Sequence, residues 1–179
     1  MKGGKNINSA ALTLIVKDLE LKGVTILIAA SLIIPFIIHL IPPVNGIRLG
    51  AVLLPMFYVP LIAVIFYKFR TALIVTAFGP IINYLFTGSP KYQSVPLLTF
   101  EVLLFVLMLT VLLKNNKLIK LSALLSILPA LIVPPLVFAL FSGSDSPVEH
   151  LLISLQNAIP GIIILSVLNV FLLRVWNKD

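Results

Sequence analysis

Along this chain the apolar positions come in long blocks, with no sustained alternation of period two and no polar stripe of period 3.6. Residues 22–41, 47–67, 71–86, 95–113, 118–141 and 150–176 are built mainly of Leu, Ile, Val, Phe and Ala. A helix needs about 20 apolar residues to cross roughly 30 Å of hydrocarbon. The pattern therefore predicts an all-α integral membrane protein with six transmembrane helices in one membrane domain spanning residues 1–179. The breaks between blocks are short and turn-like: Pro42-Pro43-Val44-Asn45-Gly46, the pair Lys68 and Arg70, Thr87-Gly88-Ser89-Pro90, Lys114-Asn115-Asn116-Lys117, and residues 142–149.

Residues 1–20 stand apart from this plan as a cytoplasmic or interfacial segment. Residues 9–21 mix Leu, Ile and Val with Lys17, Asp18 and Glu20. That is too short and too charged to span. Such a stretch lies in the membrane interface as a helix, leads helically into the first span, or remains a solvated tail. The same charges argue against a cleavable signal segment.

Composition sharpens the membrane reading. The chain is 60% hydrophobic and 11% charged, whereas soluble domains are about half apolar and about a quarter charged. Cysteine is absent, which excludes disulfides, thiolate metal sites and a cysteine nucleophile. The net charge of +7 comes from Lys and Arg in the loops between spans. That placement fits orientation in a bilayer better than a phosphate-binding face, so no nucleic-acid partner is expected.

The loop charges set the expected orientation. With the N-terminus inside, Lys2, Lys5, Lys17, Lys22, Lys68, Arg70, Lys114, Lys117, Lys120, Arg174 and Lys178 all face the cytoplasm. Only Arg48 and Lys91 of the 13 basic residues then face outward. The positive-inside rule strongly favours this arrangement, with both termini cytoplasmic.

Thirteen prolines are many for 179 residues. Pro35, Pro55, Pro60, Pro80, Pro129, Pro134, Pro135 and Pro160 fall inside expected spans. Broken helices at membrane depth are tolerated where they are buried in protein or line a cavity. Their recurrence predicts a cavity open toward the outer side, against the plainer reading that proline is simply frequent in membrane helices.

The polar residues within the spans are the candidates for chemistry. Glu101 is the one acidic residue inside an expected span, about two turns into the fourth. A carboxyl group at that depth faces a cavity or a partner, or pins helices together through a hydrogen bond. Asn83 and Tyr84, at the outer end of the third span, suit ligand orientation in an apolar pocket; Tyr84 equally suits an interfacial aromatic belt. Tyr92 and Gln93 sit in the following loop, where Tyr92 is a candidate cover for the site. Arg48 and Lys91 either attract an acidic ligand or snorkel to lipid headgroups. Gln156 and Asn157 are pocket groups or interhelical hydrogen-bonding groups. His39 and His150 form no His-x-x-x-His pair, and no metal site is expected.

The run LPMFYVPLIAVIFYKFRTALIVTAFGPIINYLFTGSP, followed by PLLTFE and later by NAIPGIII, resembles the S components of energy-coupling factor (ECF) transporters. The shared features are Leu54-Pro55-Met56, Pro60, Gly79-Pro80, Thr87-Gly88-Ser89-Pro90, Glu101 and Pro160-Gly161. Phe57 stands where many members carry His. The resemblance implies a six-helix S-component bundle in the plasma membrane of a prokaryote. It would capture a vitamin or similar micronutrient outside, topple in the membrane and release it inward. The implied partners are a transmembrane T component and two cytoplasmic ATPases, besides membrane lipid. Thr25, Ala29 and Ala30 would form the small-residue docking face on the first helix, where close helix contact is possible. The chain carries no Gly-x-x-x-x-Gly-Lys-Ser/Thr, so ATP would be used by partner subunits only, and no cofactor is expected.

Two other classes compete. An intramembrane enzyme would need paired carboxylates, a nucleophile with an adjacent base or a metal cluster, and none is evident, so no catalytic residue is expected. A structural or accessory membrane protein without a ligand would place Asn83, Glu101, Gln156 and Asn157 at separate helix contacts. A capture protein would bring them to one pocket.

Overall fold

The computed structural model describes residues 9–43, 49–67, 69–88, 90–142 and 147–176, with side chains over 22–140 and 151–176 of these ranges. Every regular element among the described residues is helical. In chain order they are α1 (Ser9–His39), α2 (Leu49–Leu53), a 3-10 turn at Pro55–Phe57, α3 (Tyr58–Phe66), α4 (Phe69–Thr87), α5 (Val95–Leu112), α6 (Ser122–Ser142) and α7 (Pro147–Trp176). Further 3-10 turns at Tyr92–Ser94 and Ile119–Leu121 lead into α5 and α6.

Five stretches are long and apolar enough to cross a membrane: Lys22–His39, Phe69–Thr87, Tyr92–Leu112, Ile119–Leu140 and Leu151–Trp176. They give the chain the form of a multi-pass membrane protein. Large apolar side chains lie exposed along their outer faces, among them Ile33 and Ile37 on α1, Phe78 and Leu85 on α4, Leu107 and Val111 on α5, and Ile163 and Val167 on α7. In water such a belt would be a liability; in lipid it is the solvated surface.

The stretch expected to form the second span differs. It is split between α2 and the 3-10 turn at Leu54, whose backbone is left-handed with φ 53° and ψ 47°. Proline disfavours the right-handed helical conformation in the residue before it, and Pro55 follows directly. The apolar remainder, Pro55–Phe66, is 12 residues, or about 18 Å of helix, short of the hydrocarbon thickness by itself. The hydroxyl of Tyr58 donates to the carbonyl of Leu53 across the break. Gly161 of α7 packs against the same place: a Cβ there would stand 2.7 Å from the Val52 carbonyl oxygen and 2.8 Å from the Leu53 carbonyl carbon.

The other in-span prolines do not interrupt their helices. Pro35, Pro80, Pro129, Pro134, Pro135 and Pro160 all lie within continuous α-helix. For Pro35 the compensation is visible. Proline has no N–H, so the Ser31 carbonyl four residues earlier loses its helical donor. The side-chain amide of Asn83 on α4 donates to that carbonyl instead, and also to Gly79 O at 3.3 Å.

The core forms around the short α3, which packs on α1, α4, α5 and α7 and buries Val59, Pro60, Leu61, Ala63 and Ile65. Below the break, the rings of Phe57 and Phe105 meet edge to face with centroids 5.3 Å apart. Neighbouring helices α4, α5, α6 and α7 pack in sequence, and α1 lies against α4. At one end of the bundle Gly23 abuts the Tyr67 ring, Phe66 packs on Trp176, and Asn169 donates to the carbonyls of Ile119 and Lys120 at 3.2 and 3.1 Å. That end carries Lys22, Arg70, Lys114, Lys117, Lys120 and Arg174. The opposite end holds the Leu54 break and the start of α5.

Candidate functional site

At the end away from those cations lies a cavity of about 420 Å³. Its walls come from α2 and the break after it (Gly50, Ala51, Leu54, Pro55, Met56, Phe57), the start of α5 (Leu98, Glu101) and α7 (Ser154, Leu155, Asn157, Ala158). Leu131 of α6, His39 at the end of α1, and Pro90, Lys91 and Ser94 complete it. Exposed Lys91 and Ser94 stand at its mouth, while buried Phe57, Leu54 and Ala158 lie deep. The surface is mostly apolar, with a few polar groups spaced around it, as in small-molecule sites generally.

Local chain chemistry explains who faces inward. Ser94, Leu98 and Glu101 are spaced i, i+4 and i+7, so they share one face of a helix. Ser154, Asn157 and Ala158 follow the same rule on α7. Glu101 sits one turn before Phe105, whose ring backs Phe57 of the cavity wall. The carboxyl group of Glu101 makes no hydrogen bond or ion pair with any described residue; its polar atoms are left to whatever occupies the cavity. His39 donates from Nδ1 to the Pro35 carbonyl at 2.6 Å, since a carbonyl oxygen can only accept. In the neutral ring this leaves Nε2 as an acceptor, close to Gly50. A Cβ on Gly50 would come within 2.7 Å of that nitrogen, so glycine permits the close approach of α2 to α1.

Of the residues singled out from sequence, Glu101 and Asn157 line the cavity, as do Lys91 and His39. Asn83 is buried but serves the α1–α4 contact described above. Tyr84 is exposed on α4 and Gln156 is exposed on α7; neither lines the cavity. Tyr92 is exposed beside the mouth, where its hydroxyl accepts a 3.3 Å hydrogen bond from Gln93. Arg48 and the side chain of His150 lie outside the described residues. On α1, Thr25 and Ala29 face outward and Ala30 packs partly on the core.

Several contributors were not picked out from sequence. Ser94 and Ser154 were recoverable from spacing, since they share a helical face with Glu101 and Asn157 respectively. Gly50, Met56 and Phe57 were not, because their position depends on the left-handed turn at Leu54. A second hollow of about 370 Å³, lined by Ile38, His39, Ile41, Pro43, Leu49, Gly50 and Thr87, adjoins the first through His39 and Gly50. Among the described residues no three His, Cys, Asp or Glu side chains gather as a metal site. Comparison with known protein families, with curated proteins and with solved structures gives no match for this chain.

Proposed function

We propose that this chain is the substrate-capturing S component of an ECF-type transporter, binding a vitamin or similar micronutrient from outside a prokaryotic cell. The observation that carries the reading is Glu101, placed without a partner among the described residues in a largely apolar cavity of about 420 Å³. An unpaired carboxyl group in an apolar setting costs several kcal/mol, and a ligand that meets it recovers that cost on binding. In this reading α2, the break and α3 together make a sixth crossing. The basic end of the bundle faces the cytoplasm by the positive-inside rule, so the cavity faces outward and both termini lie inside. Energy for release would come from a T component and two ATPases, with α1 (Thr25, Ala29, Ala30) as the docking face.

Asn83 favours a second reading, an accessory membrane protein with no ligand, because its amide is used up in holding α1 to α4. Mass spectrometry of small molecules retained by the full-length protein in mild detergent separates the two. The capture reading predicts one retained micronutrient, reduced at least tenfold by Glu101→Ala in a protein that still folds. No retained molecule would favour the accessory role, and unchanged retention in Glu101→Ala would remove Glu101 from the site.

A further inference from the structure

The polar groups of the cavity are arranged by depth and by sign. Glu101 lies one turn from Phe105, which backs the buried Phe57 of the cavity wall. Ser94 stands seven residues earlier on the same helical face, about 10 Å higher at 1.5 Å per residue. Lys91 lies beyond it at the mouth, exposed, its ammonium making no ion pair or hydrogen bond with any described residue. Between the two ends the wall is Leu54, Met56, Leu98, Leu131 and Leu155. Asn157 and Ser154 supply neutral hydrogen-bonding groups along the α7 side.

We infer that the cavity selects a small bipolar molecule, with a protonated amine or similar N–H-rich head on Glu101 and an anionic group at Lys91. Between them lies an apolar or ring-shaped body at least as long as the rise from Glu101 to Ser94, about 10 Å, with the flexible Lys91 side chain reaching back to its outer end. This rests on the capture reading above and narrows its ligand. The other classes fit worse. A wholly apolar ligand would seal Glu101 away without a partner, which is costly. A molecule with anionic groups at both ends would set like charge against Glu101 in a low-dielectric site. A lone metal ion would find too few ligands, since no three His, Cys, Asp or Glu side chains gather among the described residues.

The probe is 8-aminooctanoate, whose extended chain separates an ammonium from a carboxylate by roughly the required distance. It is compared with octanoate, octylamine and octanedioate by thermal unfolding of the full-length protein in detergent. A ligand that binds only the folded state raises the midpoint in proportion to its affinity. The amino acid should stabilise at a concentration at least tenfold below that of any of the other three. In Glu101→Gln the preference over octanoate should vanish, and in Lys91→Ala the preference over octylamine should vanish. Equal binding of octanoate or octanedioate, or an unchanged preference in Glu101→Gln, would overturn the bipolar class while leaving capture intact. If none of the four acts, the bipolar class also falls. Mass spectrometry of an extract from the same preparation then decides capture separately: a retained molecule keeps that reading, and an empty extract removes it.

Discussion

Asn83 and Glu101 are both polar side chains set in apolar helices, yet the fold uses them in opposite ways. Asn83 repairs the Ser31 carbonyl that Pro35 leaves without a donor, while Glu101 has no partner among the described residues and lines a cavity. The need for a donor near Ser31 was written into the sequence by Pro35. Which residue would meet it was not, because Asn83 arrives from another helix and only tertiary register brings the two together. Asn169, buried and bonded to the turn before α6, was hidden from sequence reading for the same reason. Thr76 is a third case. Its hydroxyl is buried with no hydrogen-bond partner among the described residues, and such an oxygen loses its solvation for nothing in return, at about 1–3 kcal/mol. Thr76→Val keeps the shape and removes the polar atom, so it should stabilise the protein by roughly 1 kcal/mol in detergent. A clear fall in the unfolding midpoint would show that the hydroxyl has a role that the fold conceals.

Among the elements, the most consequential departure is the stretch expected to cross once as residues 47–67. Its hydrophobicity was legible, and so were Pro55 and Pro60, but proline alone did not tell where a helix would break. Six other in-span prolines leave their helices continuous. At Leu54 the left-handed turn is held from both sides, by Tyr58 on the Leu53 carbonyl and by the glycine face of α7. The Pro160-Gly161 pair therefore matters less as a break than as a place where backbone meets backbone. Adding one methyl group at Gly161 would force α7 away from Val52 and Leu53. Gly161→Ala should cost about 1–3 kcal/mol of stability through this overpacking and should weaken small-molecule retention by shifting the cavity wall. Wild-type stability in Gly161→Ala, measured by thermal unfolding, would mean that the two segments are not held together there.

At the scale of the whole molecule, the membrane character follows from composition and block length, and five crossing helices are long and apolar enough to realise it. Two facts of arrangement were only half visible. The loop lysines and arginines announced one basic side, and helix-end contacts do gather Lys22, Arg70, Lys114, Lys117, Lys120 and Arg174 at one end of the bundle. The cavity lies at the other end, where Lys91 is the one Lys or Arg among the described residues. That polarity is what makes an outward-facing capture site a physical proposal, since basic loops are retained in the cytoplasm. The chain has no cysteine, so single cysteines report position without background. The most direct measurement is labelling of Ser94→Cys and, separately, Asn116→Cys in intact cells with a membrane-impermeant thiol reagent. Ser94→Cys at the cavity mouth should react from outside, and Asn116→Cys only after the cells are opened. Labelling of Asn116→Cys in intact cells, with Ser94→Cys protected until lysis, would contradict the account.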